Sequence, residues 1–425
     1  MTKTSLQRLI IVLLSMHFTL YIAAQTITVI DAEGTAKQIN ASEAGTMTYS
    51  QTDGTLTIAG QAYKVDSIAV DEENDNISLI PVAGTTDAAR RLYRYFRNNY
   101  GKRIISSVMA DVAWNHTIAD NIKKNLTGKW PAMNCYDFIH IQVPDGNGWI
   151  DYSDITPVTE WTVKGGIVQL MWHFNVPKSE TTTVGKDGSG VTCSPSETSF
   201  KASNALIDGT WENKYFYAQM DRVIAVILKL QEAGIAATWR PFHEAAGNAT
   251  AKQQASWTKA WFWWGHEGAD TFKKLWIAMF DYFKQKGVNN LIWIWTTQNY
   301  NGNSDGYYQD TDWYPGDAYC DMIARDLYGY SAAQNAQEFT EIQTTYPNKM
   351  VVLGECGWDG SDKTGKPQGD IVECWNAGAK WGHFMVWYDG NAGNTSNTMV
   401  SDDWWKSALK KENTGIVVNR SLVKY

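Results

Sequence analysis

No glycine-rich phosphate loop, no Cys-x-x-Cys pair and no internal repeat occurs in the 425 residues. The first absence leaves nucleotide binding on a doubly wound sheet without support, because neither G-x-G-x-x-G nor G-x-x-x-x-G-K-[ST] is present. The second removes metal-ligand spacing, so neither a zinc site nor any other metal or cofactor is expected. The five cysteines are Cys135, Cys193, Cys320, Cys356 and Cys374; an odd number leaves at least one unpaired, and sequence fixes no pairing. The third absence argues against a structural repeat protein. Basic residues are also in deficit, 37 against 45 acidic ones, for a net charge of −8. That balance argues against a nucleic-acid backbone or an anionic membrane as the main partner. Tryptophan is missing before Trp114 and then occurs 21 times. Such a surplus calls for a flat hydrophobic ligand, a partner surface or an unusually aromatic core.

The chain divides by composition. Residues 1–24 read as an export signal: Lys3 and Arg8 precede the apolar run that opens at Leu9, and cleavage after Ala24 would leave Gln25 first. The run is interrupted by Ser15, His17 and Thr19 and is short for a membrane span, so none is expected in the mature chain. The location expected is periplasmic or secreted. Residues 25–82 alternate in short runs (Ile27/Val29, Leu56/Ile58, Tyr63/Val65, Ile68/Val70), with Asp53-Gly54 as a hairpin signal. They predict a small antiparallel β appendage, with the acidic stretch at 71–75 as a solvated turn.

Residues 83–425 follow a different rule. Apolar residues at helical spacing, such as Phe216, Met220, Val223, Ile227 and Leu230, alternate with compact apolar runs. The runs are residues 104–109, 138–143, 167–172, 235–239, 291–295, 319–323, 350–353 and 384–387. Continuous apolar runs of this length are the mark of buried parallel strands. About eight of them predict a (β/α)8 TIM barrel with enlarged loops, with a doubly wound open sheet as the alternative. Trp276, Trp293, Trp295, Trp404 and Trp405 fall at packing positions.

In a barrel the chemistry sits at the C-terminal ends of strands. Read that way, strand four ends Trp239-Arg240-Pro241-Phe242-His243-Glu244 and strand seven ends Leu353-Gly354-Glu355. Strand three ends at His173, strand six leads into Asp326 and Tyr328, and strand eight ends Trp387-Tyr388-Asp389. Two carboxylates facing each other across one mouth are what glycoside hydrolysis requires: one protonates the leaving oxygen, the other attacks the sugar carbon or activates water. His243-Glu244 does not extend to H-E-x-x-H, because position 247 is Gly, so a zinc-protease reading fails. His266-Glu267 reads as a loop and cap before a helix.

The strand-four motif, together with the later Trp261-Phe262-Trp263-Trp264-Gly265, resembles the signature of glycoside hydrolase family 26. Leu353-Gly354-Glu355 resembles that family's nucleophile motif. Gly316-Asp317-Ala318-Tyr319 with Asp326-Leu327-Tyr328-Gly329 is similar to its strand-six region. The resemblance spans about residues 87–410. It implies a retaining (β/α)8 enzyme, most members being endo-β-1,4-mannanases, with Glu244 as acid/base and Glu355 as nucleophile. It further implies Tyr328 as the hydrogen-bond partner of the nucleophile, and Arg240, His243 and His173 around the reacting sugar. Trp261 and Trp387 would be aromatic platforms and Asp326 a polar contact in the cleft. The partner implied is a β-mannan-type polysaccharide or oligosaccharide, acted on by a monomer. A β-1,3-xylanase or β-glucanase of the same fold is the alternative, and a non-catalytic glycan-binding protein is the alternative of another class. Residues 248–260 form an insert beside the acid/base where many family members have almost nothing. Residues 181–202 predict a long loop on the catalytic face.

Overall fold

The computed structural model describes residues 26–31, 36–40, 45–50, 53–71, 76–111, 114–247, 260–298, 310–359, 365–388 and 399–425. The expected export signal at 1–24, most of the acidic stretch at 71–75, Asp389 and the insert at 248–259 lie outside the described residues. The chain forms two compact units, residues 1–80 and Pro81–Lys424.

The first unit is an antiparallel sheet of five strands: β1 (Thr26–Asp31), β2 (Ala36–Asn40), β3 (Thr48–Ser50), β4 (Thr55–Ile58) and β5 (Gln61–Asp71), in the order β2-β1-β5-β4-β3. At the Asp53-Gly54 corner Gly54 takes φ 69° and donates its N–H to Ser50 at 3.0 Å. A second corner at Ala59-Gly60, with φ 49° and 77°, joins β4 to β5. Two successive left-handed residues make the tight turn whose twist matches the strands. Ile27, Val29, Ile39, Leu56 and Ile58 supply a small core of its own.

The second unit is a closed barrel of eight parallel strands. They are β6 (Ile104–Met109), β7 (Met133–Asp137), β8 (Ile167–Trp172), β11 (Ala237–Pro241), β12 (Leu291–Thr297), β13 (Met322–Tyr328), β14 (Met350–Gly357) and β15 (His383–Val386). Each pairs with its successor and β15 pairs back onto β6. A short β16 (Val417–Val418) fills the edge of β6 below β7. Two minor strands, β9 (Val176–Pro177) and β10 (Val191–Thr192), form a hairpin after β8. The long loop predicted at 181–202 therefore carries a strand of its own.

The helices of the unit are α1 (Asp87–Asn99), α2 (Thr117–Asn121), α3 (Thr156–Val163), α4 (Trp211–Glu232), α5 (Ala269–Gln285), α6 (Ala332–Thr345), α7 (Ile371–Ala377) and α8 (Asp402–Leu409). Their starts are written in the sequence. Thr86, Thr210, Ser331 and Ser401 each accept a first-turn backbone N–H on the side chain, and Ser331 with Gln334 completes a capping box. α5 buries Phe272, Leu275, Trp276, Met279, Phe280 and Phe283. Each such side chain contributes about 1.5–3 kcal/mol of transfer free energy before ordering costs. Trp293 points outward onto Trp276, Phe280 and Phe283, and Trp295 onto Tyr314 and Tyr346. Both indoles thus belong to the layer between strands and helices.

α1 lies across the N-terminal mouth of the barrel. Its cap Thr86 donates N–H to Asn289 just before β12, and Phe96 meets His383 at the start of β15, ring centroids 5.9 Å apart. That closes the end of the barrel away from the site.

Several strand bounds differ from the reading of apolar runs. The second strand is Met133–Asp137, and residues 138–143 turn away from it. Phe138 is buried by Trp114, Tyr152 and Trp239 in a loop, and hydrophobicity alone does not tell such a loop from a strand. The sixth begins at Met322, after a helical turn at Asp317–Tyr319, and runs through Asp326 and Tyr328. The fourth ends at Pro241, so Arg240 is within it, and the seventh continues to Gly357 and contains Glu355.

Candidate active site

Glu244 is placed by a tight turn at the end of β11. Phe242 and Glu244 both adopt left-handed backbone, each at φ 48°. For residues other than glycine this costs roughly 1 kcal/mol or more apiece, so the surroundings must hold it. The Phe242 ring is buried and stacks beside Phe174 and Phe216. The 261–265 segment wraps the turn from the other side. Trp264 Nε1 donates to the His243 carbonyl at 2.9 Å, Trp261 Nε1 to Glu244 Oε2 at 3.0 Å, and Trp263 Nε1 to the Phe174 carbonyl at 2.6 Å. Gly265 approaches so closely that a Cβ there would stand 1.4 Å from the Ala245 oxygen. This explains why an aromatic run ending in Gly accompanies the strand-four motif.

Glu355 is placed by a bulge. Arg325 pairs with Leu353 but Asp326 pairs with Glu355, so Gly354 is the extra residue. The bulge re-aims the chain and sets Glu355 beside Asp326. A Cβ on Gly354 would meet Asp326 Oδ1 at 2.5 Å and Ala324 Cβ at 2.9 Å, so the position requires glycine. Tyr328 Oη donates to Glu355 Oε2 at 2.6 Å, and Arg240 Nη2 donates to Oε1. Arg240 Nη1 reaches Asp326 Oδ2 at 3.0 Å and Thr296 Oγ1 at 3.2 Å. Nη1 and Nη2 are thereby committed.

One carboxylate oxygen from each of Glu244, Asp326 and Glu355 lies within 4.8 Å of the others. Three such oxygens could meet one cation, but the Arg240 guanidinium already bridges two of the carboxylates. A nearest oxygen–oxygen separation within 4.8 Å is compatible with the close pairing of retaining sugar-cleaving carboxylates, about 5–5.5 Å apart, against about 6.5–9.5 Å in inverting enzymes. Burial pushes the Glu244 carboxyl well above its ordinary pKa, and the neighbouring charges of Asp326 and Glu355 add to this. Arg240 and the Trp261 N–H oppose the shift without cancelling it. Burial likewise raises the Tyr328 phenol, with the Glu355 charge beside it, so the group stays protonated and donates.

The two histidines differ. Burial, then His173 and Arg240, push His243 well below its ordinary value; its Nε2 stands 3.9 Å from Glu355 Oε1. Burial would also lower His173, but Asp137 outweighs it and the net shift is upward. Asp137 Oδ2 lies 2.5 Å from His173 Nδ1, and Oδ1 accepts the His173 backbone N–H at 2.9 Å. The rings of His173 and His243 meet edge to face at 4.4 Å. Trp387 packs beside His173 over Met109, Cys135, Met171 and Met385 inside the barrel.

All nine residues singled out from sequence converge here, but not in one layer. Glu244, Trp261, Tyr328 and Trp387 retain exposure, and His173 a little. Arg240, His243 and the Asp326 carboxylate are covered. Arg240 and the Asp326 carboxylate, expected around the reacting sugar and in the cleft, lie covered beneath Glu355, with Arg240 bonded to both carboxylates. Asp137 and Thr296 were missed. Met-Asn-Cys-Tyr-Asp does carry a polar tip on a short strand, but the apolar run after it has the stronger strand signal. All five cysteines are free.

Residues 82–408 match the sequence profile of Glycosyl hydrolase family 26. Mannan endo-1,4-beta-mannosidase A of Piromyces sp is 31% identical over 336 residues, covering 76% of this chain and 47% of that protein. Mannan endo-1,4-beta-mannosidase of Thermothelomyces thermophilus is 26% identical, covering 75% of this chain and 57% of that one. The chain thus spans about half the length of the curated relatives it matches. Among solved structures, the family-26 domain of an endo-beta-mannanase/endo-beta-glucanase from Prevotella bryantii is 56% identical with a TM-score of 0.75, covering 82% of this chain and 100% of that domain. A beta-mannanase from a symbiotic protist of the termite Reticulitermes speratus, complexed with gluco-manno-oligosaccharide, is 31% identical with a TM-score of 0.63, covering 83% and 99%.

Proposed function

Because the chain belongs to glycosyl hydrolase family 26, we propose that it hydrolyses β-1,4-mannosidic linkages of mannan, glucomannan or galactomannan from within the chain, with retention. The observation that carries this is the pairing of Glu244 and Glu355 across one cleft in opposite states of constraint. Glu355, held by Arg240 and Tyr328, attacks the anomeric carbon. Glu244, whose raised pKa keeps it protonated, donates its proton to the leaving oxygen as the C–O bond breaks. The product is a glycosyl ester on Glu355 and a shortened chain with a free hydroxyl. Glu244, now ionised, takes a proton from water; the oxygen attacks the same carbon and frees Glu355. Trp261 and Trp387 offer apolar faces that match the C–H faces of a pyranose. The names of the relatives support mannan as the substrate.

The test is mass-spectrometric product analysis on linear manno-oligosaccharides, galactomannan, β-1,3-xylan and β-glucan. Internal cleavage of β-1,4-mannan is expected by mass, and NMR spectra recorded before mutarotation are expected to show the β-anomer as first product. Preference for xylan or glucan would move the substrate assignment, and binding without turnover would replace the enzyme reading by a glycan-binding one. Export rests on residues 1–24 and is checked by N-terminal sequencing of the mature protein, with Gln25 expected first.

A further inference from the structure

We propose that the recess between the β7–α3 loop and the flank of α4 is an auxiliary sugar-binding site that holds a stretch of β-linked polysaccharide outside the carboxylate cleft, with Trp149 as its platform. The class of ligand rests on the hydrolase reading above.

Most of the described tryptophans are buried, and among them Trp261, at 37%, beside Glu244, and Trp149, at 40%, are the two exposed ones. Trp149 stands at the edge of a recess of about 590 Å³, within the 300–1,000 Å³ usual for small-ligand sites. The recess shares no lining residue with the carboxylate cluster. Arg222 and Lys229 of α4 form its far wall. They lie roughly 17 and 27 Å along the helix axis from Trp211, whose end of α4 faces the catalytic mouth. The recess is therefore on the flank of the barrel.

The platform is rigid before any ligand arrives. Gly146 and Gly148 take φ 67° and 92°, which turns the chain tightly enough to set Trp149 outward. Asn147 Oδ1 accepts the N–H groups of Trp149 and Ile150, both at 2.9 Å, and its amide donates to the Pro144 and Ile150 carbonyls. Trp149 Nε1 donates to the Lys186 carbonyl at 2.8 Å, and the His140 ring packs edge-on at 4.6 Å. With its polar edge satisfied, the indole offers apolar surface. Such a group binds the C–H face of a sugar and loses little entropy in doing so. Asp145 and Arg222 form an exposed ion pair at 2.8 Å at the rim. An exposed pair is worth little, so both partners can exchange it for sugar hydroxyls. The loop starts just after Asp137, and Tyr152 Oη donates to the Asp137 carbonyl at 2.8 Å, which ties the recess to the strand that supports His173.

The test compares the parent with Trp149→Ala and Trp149→Phe, each checked for an unchanged thermal midpoint. Retention is measured by depletion on insoluble β-mannan, glucomannan and cellulose in a Glu355→Gln background, and kcat/KM on mannotetraose and on polymer is measured with Glu355 intact. The expected result is at least fivefold weaker retention for Trp149→Ala, an intermediate value for Trp149→Phe, and a lower rate on polymer with mannotetraose turnover within twofold of the parent. Equal retention of parent and variants on every polysaccharide overturns the site, as does an equal loss on mannotetraose and polymer. Binding and turnover are read separately, so a parent that binds but cleaves nothing speaks against the hydrolase reading and not against the recess.

Discussion

The ends of β11 and β14 carry the same functional group and treat it in opposite ways. At β11, Glu244 stands on strained left-handed backbone and, among the described residues, accepts from the indole of Trp261. At β14, Glu355 sits on a bulge, is almost fully buried, and has each oxygen fixed by a different donor, Arg240 and Tyr328. The first environment favours the neutral acid and leaves it room to gain and lose a proton. The second fixes the direction of a lone pair. Two roles can thus be assigned to two glutamates from their surroundings alone.

The strongest way to break this comparison is to remove each carboxylate in turn and supply azide. Glu355→Ala is expected to lose roughly four orders of magnitude in kcat or more, since the covalent step goes with it. Glu244→Ala should lose about 10²–10⁴-fold, and less on aryl mannosides whose leaving group needs no proton. Azide should restore turnover in both, giving the α-mannosyl azide with Glu355→Ala and the β-mannosyl azide with Glu244→Ala. NMR of the products reads the anomer directly. The reversed pattern would exchange the two roles.

A subtler break acts on the bulge. In Gly354→Ala the new methyl group collides with Asp326 Oδ1 and Ala324, so the Glu355 carboxylate must shift while every reacting group is kept. Misplacement by about 1 Å can cost 10²-fold, and a loss of that order in kcat with nearly unchanged KM is expected from steady-state kinetics. An unaffected kcat would mean that the bulge does not set the carboxylate.

The same region shows what sequence can and cannot carry. The closed barrel, the helix caps and the strand tips that bear Glu244 and Glu355 follow from patterns only a few residues wide. The contacts that give the glutamates their different characters do not. Arg240 lies 86 residues from Asp326 and 115 from Glu355, and nothing local records that it bridges them. Asp326 therefore reads from sequence as a cleft contact and turns out to be a covered counter-ion. The Phe138 run misleads for a related reason. Its burial comes from Trp114, Tyr152 and Trp239, distant in sequence, and burial by a loop leaves the same hydrophobic signal as burial in a strand.

The comparison sharpens further at His173, which joins the floor of the cleft to Asp137. The groups facing the imidazole are Asp137, His243, Glu355, Arg240, Phe262 and Trp387. Asp137→Asn keeps the shape and removes the charge that outweighs burial, so the His173 pKa should fall. The cationic form is then lost at lower pH than in the parent. KM should rise roughly tenfold, the worth of one hydrogen bond to a charged group, and its increase on the alkaline side should begin earlier. The His173 ring signals in NMR would titrate at correspondingly lower pH. A change in kcat alone, with an unmoved titration, would show that Asp137 does not act through the imidazole.

The smallest expected effect tests the Glu244 side on its own terms. Trp261 Nε1 donates to Glu244 and favours the charged carboxylate, opposing burial and the Asp326 and Glu355 charges. Trp261→Phe keeps an aromatic face but deletes this donor, so the Glu244 pKa should rise still further. The acid must be protonated for the first step, and its loss of a proton sets the alkaline limb of kcat/KM. That limb should therefore move to higher pH, while the lower activity at the plateau, about two- to tenfold, reflects a less firmly held platform. A limb that moved to lower pH would mean that the indole had instead been stabilising the neutral acid. The contrast between the two strand ends would then rest on the Glu355 side alone.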